Sequence, residues 1–472
     1  MTSRAGHARR RGAAGRGRSR FGGCGRGTLA IVACCVALSL ACTRAARADS
    51  APGDSLLDAY VRSMSDSTDA WFGRTAAPLD TAGLDTALAA GLARGQRGRW
   101  RASNGRGLDF AYGPALGFNR ADGGELGVDA SAGIRRLGRL SGRLQYTTGT
   151  HDVLGEGAWS KSWRVPGLDA RAALRVAAGR YTETFDREHY GWLYSALDAA
   201  VAGEDRHQYL RRDGFVTSLR LGGEAGSATV GWRDQLESSL PYTTDWFLFG
   251  RGPTLAFNDA AAFGRARELT LSADVEIPGT RYRLGATHWT SDPRFGSDFR
   301  YRRTRVTLGG DVSLGQHLAL VQQATYGRLR GQVLPQDAFY LGGSSTLRTL
   351  ERNELAGAGR TFARVDLLLV DELGALLHVP LPAWLPLQLG GFAASGAVWG
   401  SDGASGALPS TRDGPRREDW LSEVGIGLSW RHGIPDPQSA VRFEYAHPIG
   451  ADGRSSKFTI SFQRPLNLLQ AR

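Results

Sequence analysis

The sequence predicts an all-β fold, a transmembrane antiparallel β-barrel of about sixteen strands with a short N-terminal helical arm or plug. Three observations carry this expectation. Apolar and polar residues alternate with a period of two, the alternating runs are long, and the connections between them are short and long by turns.

The alternation is clearest where Thr304, Val306, Leu308, Gly310, Val312 and Leu314 interleave with Arg303, Arg305, Thr307, Gly309, Asp311 and Ser313, giving one apolar and one charged face. It recurs with Leu269, Leu271, Ala273, Val275 and Ile277 against Glu268, Thr270, Ser272, Asp274 and Glu276. Val441, Phe443 and Tyr445 alternate with Arg442, Glu444 and Ala446, and Phe458, Ile460 and Phe462 with Lys457, Thr459, Ser461 and Gln463. A soluble sandwich also alternates, but its strands average about 5 to 6 residues. Runs of about 10 to 12 are what a tilted strand needs to cross a bilayer.

The expected strands lie near 107–118, 123–135, 139–149, 157–164, 168–182, 210–222, 225–236, 266–277, 279–291, 300–313, 316–329, 358–373, 385–399, 419–432, 437–447 and 455–464. Tight turns are expected at Leu137-Gly138, Pro166, Gly222-Gly223, Pro278-Gly279, Gly315 and Pro435. The intervening connections near 183–209, 237–265, 292–299, 330–357 and 400–418 are long, the asymmetry of outer-membrane barrels. Asn119 to Gly123 is short for a loop of that side, and Gly374 to Trp384 is long for a turn. Trp159, Trp163, Tyr181, Trp232, Tyr282, Trp289, Tyr326, Trp384, Trp399, Trp430 and Tyr445 are expected at strand ends or on apolar faces, where interfacial girdles form.

The ends differ from this pattern. Residues 1–48 combine Arg4, Arg9, Arg10, Arg11, Arg16, Arg18, Arg20 and Arg26 with the apolar run Thr28 to Ala41 and the small-x-small triplet Ala46-Arg47-Ala48, which reads as a secretory signal peptide. Leu40-Ala41-Cys42 is the rival, a lipoprotein cleavage site. All four cysteines, Cys24, Cys34, Cys35 and Cys42, lie in that segment, so the expected mature chain has no cysteine chemistry. Ten of the 58 basic residues and none of the 46 acidic ones precede Asp49, which leaves 48 against 46 and removes the main support for a nucleic-acid partner. Residues 49–104, with Leu84, Leu88 and Leu92 at helical spacing after Asp80, are expected to form a periplasmic arm or a luminal plug. The barrel is assigned to 105–464 and a tail to 465–472, Phe462 being the last strand aromatic before Arg464-Pro465.

The most specific segment is the long loop containing Leu341-Gly342-Gly343 and Leu347-Arg348-Thr349-Leu350. With Gly359-Arg360-Thr361-Phe362-Ala363-Arg364-Val365-Asp366-Leu367 after it, and Val424-Gly425-Ile426-Gly427-Leu428 further on, the chain resembles the BamA/TamA superfamily, the bacterial surface antigen family, over about residues 105 to 464. The family carries Leu-Gly-Gly and then Val-Arg-Gly-Phe or Val-Arg-Gly-Tyr in this loop. The resemblance implies a loop folded back into the lumen, its arginine meeting an acidic residue of the thirteenth strand within Phe-x-Asp-x-Gly. The matching run is Phe392-Ala393-Ala394-Ser395-Gly396, so the partner position holds Ala394. Thr349 and Leu350 likewise replace the glycine and the aromatic, and Asp366 stands where a glutamate is common. On sequence, Arg348 therefore marks kinship more than a working contact, and is left to another carboxylate or to water. The family's periplasmic repeats have no room between Asp49 and Arg106, which points to a barrel-only relative.

No Gly-x-Ser-x-Gly elbow, His-Glu-x-x-His or phosphate loop occurs in the expected mature chain, and His151, His189, His288 and His378 lack ligand spacing. No catalytic, cofactor-binding or metal site is assigned, and the chain is read as a non-enzyme without cofactor. Ser160 or Ser162 with His189 is the nearest approach to a nucleophile and base. Arg211, Arg212 and Asp213, and the cluster from Arg300 to Arg305, are read first as solvated loop charge, with the lining of an outer vestibule or lipid phosphate binding as the alternative. Three functions remain: insertion or translocation of proteins or lipids, as the resemblance implies; a passive or selective pore; and a membrane-embedded lipid-modifying enzyme. The expected partners are the outer-membrane bilayer and nascent barrel proteins or lipids, with no nucleic acid and a monomeric state.

Overall fold

The computed structural model describes residues 100–104, 108–134, 137–168, 170–185, 207–223, 225–247, 250–251, 258, 260–315, 317–343, 345–369, 374, 378, 387–400, 414–430, 440–450 and 453–463. The leader, the arm to residue 99, the connection at 375–377 and 379–386 and the tail from 464 lie outside the described residues.

The first half of the sheet is built from β1 (Trp100–Asn104), β2 (Leu108–Asn119), β3 (Gly123–Ile134), β4 (Gly138–Thr147), β5 (Val153–Arg164), β6 (Ala170–Thr184), β7 (Tyr209–Gly223) and β8 (Gly226–Ser239). A small ladder of β9 (Trp246–Phe247) with β10 (Gly250–Arg251) decorates the next connection. The sheet continues with β11 (Gly264–Glu276), β12 (Arg283–Ser291), β13 (Tyr301–Leu314) and β14 (Leu318–Gly331). After a second small ladder, β15 (Phe339–Leu341) with β16 (Leu355–Gly357), come β17 (Gly359–Leu369), β18 (Leu387–Trp399), β19 (Trp420–Trp430), β20 (Ala440–Ile449) and β21 (Lys457–Gln463).

Every strand of the main sheet pairs antiparallel with its predecessor, β8 passing directly to β11 and β14 to β17. All sixteen expected strands are present. The sheet has seventeen because Trp100–Asn104, expected in the arm, forms a five-residue hairpin partner for β2, with Asn104 opposite Leu108 and Trp100 opposite Tyr112. Five residues carry too few alternations to be read as a strand; the pairing with β2 makes them one.

Polarity is inverted relative to a soluble sandwich. Leu271, Val275, Ile277, Ile426, Phe458 and Ile460 are exposed, whereas Glu237, Glu268, Arg212, Arg233, Glu423 and Glu444 are buried. An apolar outside around a charged inside is the pattern of a barrel solvated by lipid. A chord across the charged face shows that it is concave: Arg364 of β17 reaches Glu444 of β20 (3.2 Å). Among the described residues no ladder joins β21 to β1, so the seam of the barrel falls between them.

The long connections gather at one end and bond to one another. The Thr243 N–H, beyond β8, donates to the Arg120 carbonyl, beyond β2 (2.8 Å), and the Tyr242 hydroxyl donates to the His207 carbonyl (2.6 Å). The short turn at 120–122 thus belongs to the long-loop end and is held there by its neighbours. Two expectations change. Arg211 and Arg212 are buried and ion-paired rather than solvated, Arg211 with Asp122 and Asp152, and Arg212, on the inward face, with Glu183 and Glu237. Tyr181 and Trp289 also face inward, the Tyr181 hydroxyl accepting the Gln235 amide N–H (2.8 Å) and the Trp289 ring lying under Arg303 and Arg305.

Candidate functional site

The connection between β14 and β17 turns into the lumen, because its apolar residues find cover on the inner wall. Phe339, Leu341, Leu347 and Leu350 are all buried. Pro335–Asp337 form one 3-10 turn, the β15–β16 ladder carries the chain inward, and residues 342–343 and 345–354 form the tip.

The base of the loop docks against β8, β11 and β13. The Gln336 carboxamide donates to Glu237 (3.0 Å) and accepts from the Ala262 N–H (3.0 Å). Glu237 is shared with Arg212 (2.9 Å) and Arg233 (3.3 Å), and Arg233 continues to Glu268 (3.1 Å), which also accepts from the Tyr301 hydroxyl (2.7 Å). The Phe339 ring lies 4.6 Å from the Arg303 guanidinium and over Gly327, where a Cβ would come within 2.4 Å of the ring. Arg360 donates to the Tyr340 carbonyl (2.9 Å), fixing the ladder to β17.

The tip docks against β17 to β21. Gly342 has φ +127°, and a Cβ there would lie 2.1 Å from the Glu351 carbonyl, so the turn requires glycine. Gly343 follows at φ +93° and donates its N–H to the Leu347 carbonyl (3.0 Å), while the Gly342 N–H donates to the Thr346 hydroxyl (2.8 Å). Leu341, Leu347 and Leu350 pack with Phe362 and Ala394, and Leu341 rests on Gly396. Leu350 thus fills the apolar pocket where the resemblance leads one to expect an aromatic.

This packing delivers Arg348 to a nest of charges. Its Nε donates to Glu444 of β20 (2.6 Å), its backbone N–H donates to Glu423 of β19 (2.9 Å), and its guanidinium covers the Phe392 ring at 4.6 Å. Arg364 covers Phe392 at 4.3 Å, chelates Asp366 (2.6 Å through Nε) and shares Glu444. Arg442 stands beside both acids, 3.5 Å from Asp366 and 3.8 Å from Glu444. The Thr349 N–H and hydroxyl both donate to Glu423 (2.9 Å each), and Arg454, just before β21, donates to the Thr349 hydroxyl (2.6 Å). Lys457 at the start of β21 pairs with Glu351 of the tip (2.7 Å).

Of the two alternatives left for Arg348, another carboxylate or water, the structure places it on a carboxylate. Ala394 is directly opposite Glu423 across the β18–β19 ladder, so the acid stands one strand further round, and Glu444 supplies the side-chain partner. Phe392 reaches the guanidiniums because Gly425, opposite it, leaves space: a Cβ there would lie 2.5 Å from the ring. Of the loop and strand residues singled out in sequence, Leu341, Gly342, Gly343, Leu347, Arg348, Thr349, Leu350, Asp366, Phe392, Ala394 and Gly396 meet at this tip, whereas Arg360 holds the β15–β16 ladder. Sequence reasoning missed Arg364, Glu423, Arg442, Glu444 and Arg454. Glu444 and Arg442 did stand on the polar face of an alternating strand, which was the available signal.

No protein-family model matches the chain, and no curated protein matches it. Among solved structures it is similar to BamA from Haemophilus ducreyi lacking POTRA domains 1-3, at 13% identity over 79% of this chain and 76% of that chain, with a TM-score of 0.44. It is also similar to CdiB from Acinetobacter baumannii, at 12% identity over 75% of this chain and 59% of that one, TM-score 0.38. For CdiB from Escherichia coli the figures are 14%, 76%, 62% and 0.39, so the chain spans less than two thirds of either CdiB. By its own geometry the chain is an antiparallel β-barrel whose inward loop is clamped by buried charge to the strands beside the seam.

Proposed function

We propose that this chain is an outer-membrane barrel of the BamA/TamA kind that inserts or translocates proteins or lipids at its seam. The observation that carries the reading is the clamp. The loop tip bonds to β19, β20 and the start of β21, the last strands before the seam, through Glu423, Glu444, Arg454 and Lys457. Loop and seam strands therefore move as one body. Among the described residues no ladder joins these two strands, β1 and β21, across the seam.

A passive pore has no use for this coupling, and a loop bonded to Glu237 on one wall and Glu444 on another obstructs the lumen at the long-loop end. A photo-crosslinking residue placed at Phe458 or Ile460, both outward on β21, tests the reading in cells. Adducts with nascent barrel chains or with transported lipid are expected from both sites and not from Leu271 on the far wall. Equal labelling at all three sites removes the seam from the mechanism. High, steady single-channel conductance in planar bilayers supports the pore instead.

A further inference from the structure

The outer face of β12, β13 and β14 carries a second feature that the loop does not use. Outward positions form register rows across these strands. Val306 stands opposite Ala286 and Tyr326, and Leu308 opposite Leu284 and Ala324, an apolar band that ends on an aromatic ring. One step toward the long-loop end, Thr304 stands between His288 and Arg328; one step further, Arg302 stands between Thr290 and Arg330. The same rows in β8 and β11 are apolar, with Trp232 opposite Leu269 and Val230 opposite Leu271. In these rows the switch from hydrocarbon to arginine falls on β13 and β14; on β11 it comes one row further out, where Arg267 stands opposite Asp234.

Arg302 and Arg330 are exposed, and they face each other directly across the ladder. Like charges directly opposite are destabilising on a sheet, and the outward positions of these three strands supply no carboxylate to balance them. A bridging anion would convert this repulsion into charge-assisted bonding, because guanidiniums match phosphate oxygens in a bidentate way. His288 sits in the middle, its Nδ1 bonded to the Thr304 hydroxyl (2.8 Å) and its Nε2 to the Thr290 hydroxyl (3.0 Å), so the floor below the arginines is polar and ordered. On β11 the outward Arg265 chelates Asp234 at 2.6 Å.

We propose that Arg302, Arg328 and Arg330 bind the phosphate of a phosphorylated membrane lipid at the rim of the apolar belt, its acyl chains lying along Tyr326, Val306 and Leu308. Charge alone would suit any phosphate. The apolar band immediately below selects one attached to acyl chains. The inference depends on the barrel and its outward face, and is independent of the seam function.

The test is native mass spectrometry of the full chain, exchanged from vesicles of neutral phosphatidylcholine containing a small fraction of diphosphorylated glycolipid, with R302Q/R330Q, R302K/R330K and R265Q variants. Heat-dependent gel mobility establishes that each variant is folded. About tenfold loss of the retained phosphorylated lipid is expected in R302Q/R330Q, a smaller loss in the lysine pair, which keeps charge without the fork, and none in R265Q. Millimolar inorganic phosphate should leave the lipid in place. Retention unchanged in folded R302Q/R330Q overturns the proposal, as does equal loss in R265Q. Displacement by inorganic phosphate overturns the lipid assignment.

Discussion

Removal of the Arg348 side chain is the most informative perturbation. Arg348→Gln leaves Glu444, whose side chain is fully buried, without its shortest contact. Breaking a buried pair by deleting one partner costs roughly 3–5 kcal/mol. Arg364 and Arg442 remain at 3.2 and 3.8 Å from the same carboxylate and compensate in part, so the lower end, about 3 kcal/mol, is expected. Glu444→Gln costs more, toward roughly 5 kcal/mol, because it takes a counter-charge from three guanidiniums at once. Equilibrium unfolding of refolded barrel in urea, followed by the unheated gel species and by tryptophan fluorescence, gives both values. The double variant closes the cycle, with a coupling of about 1–3 kcal/mol expected for residues in direct contact. Additivity within about 0.5 kcal/mol, the behaviour of distant sites, would refute the pairing.

Other outcomes follow from the same contacts. Glu423→Ala strands the buried N–H groups of Arg348 and Thr349, at about 1–3 kcal/mol each, and Ala394→Asp in that background should recover part of the loss because position 394 faces 423 across the ladder; thermal unfolding of the two variants checks this. Gly342→Ala forces a Cβ against the Glu351 carbonyl, and limited proteolysis should then cut between residues 342 and 354 in a barrel that is otherwise intact. Burial, reinforced by Glu237, holds the Asp337 carboxyl above the usual carboxylate range. Its protonated form therefore favours the docked loop, and docking weakens as pH rises from the ordinary carboxylate value through the raised one. The protection of residues 335–341 against hydrogen exchange, relative to the intrinsic rate at each pH, should fall over that interval in the native chain and stay level in Asp337→Asn; protection that rises with pH contradicts this sign.

The strands were legible because period two is a local property. Leu269 to Ile277 and Phe458 to Ile460 announce an apolar face without reference to anything distant, and that face is the exposed one. The five residues of β1 were not legible, since their status depends on β2. The loop's own geometry was also in the text of the chain: Gly342 and Gly343 are where positive φ is needed, and Leu341, Leu347 and Leu350 are where apolar cover is needed. What the sequence could not provide was the partner of Arg348. Glu423 and Glu444 lie 75 and 96 residues away, and only the stagger of β18, β19 and β20 and the curl of the sheet bring them to the tip. Ala394 drew attention to a missing acid, while its cross-strand neighbour supplied one.

The central claim is that the loop tip lies inside the barrel and is tied to the strand at the seam. It is tested most directly by Glu351→Cys with Lys457→Cys in the full chain, the native side chains being 2.7 Å apart. Treatment of cells with a short thiol crosslinker should give an internally linked species, seen as a shifted band only when both cysteines are present and the barrel is folded. A folded barrel in which those two cysteines never link would contradict the account.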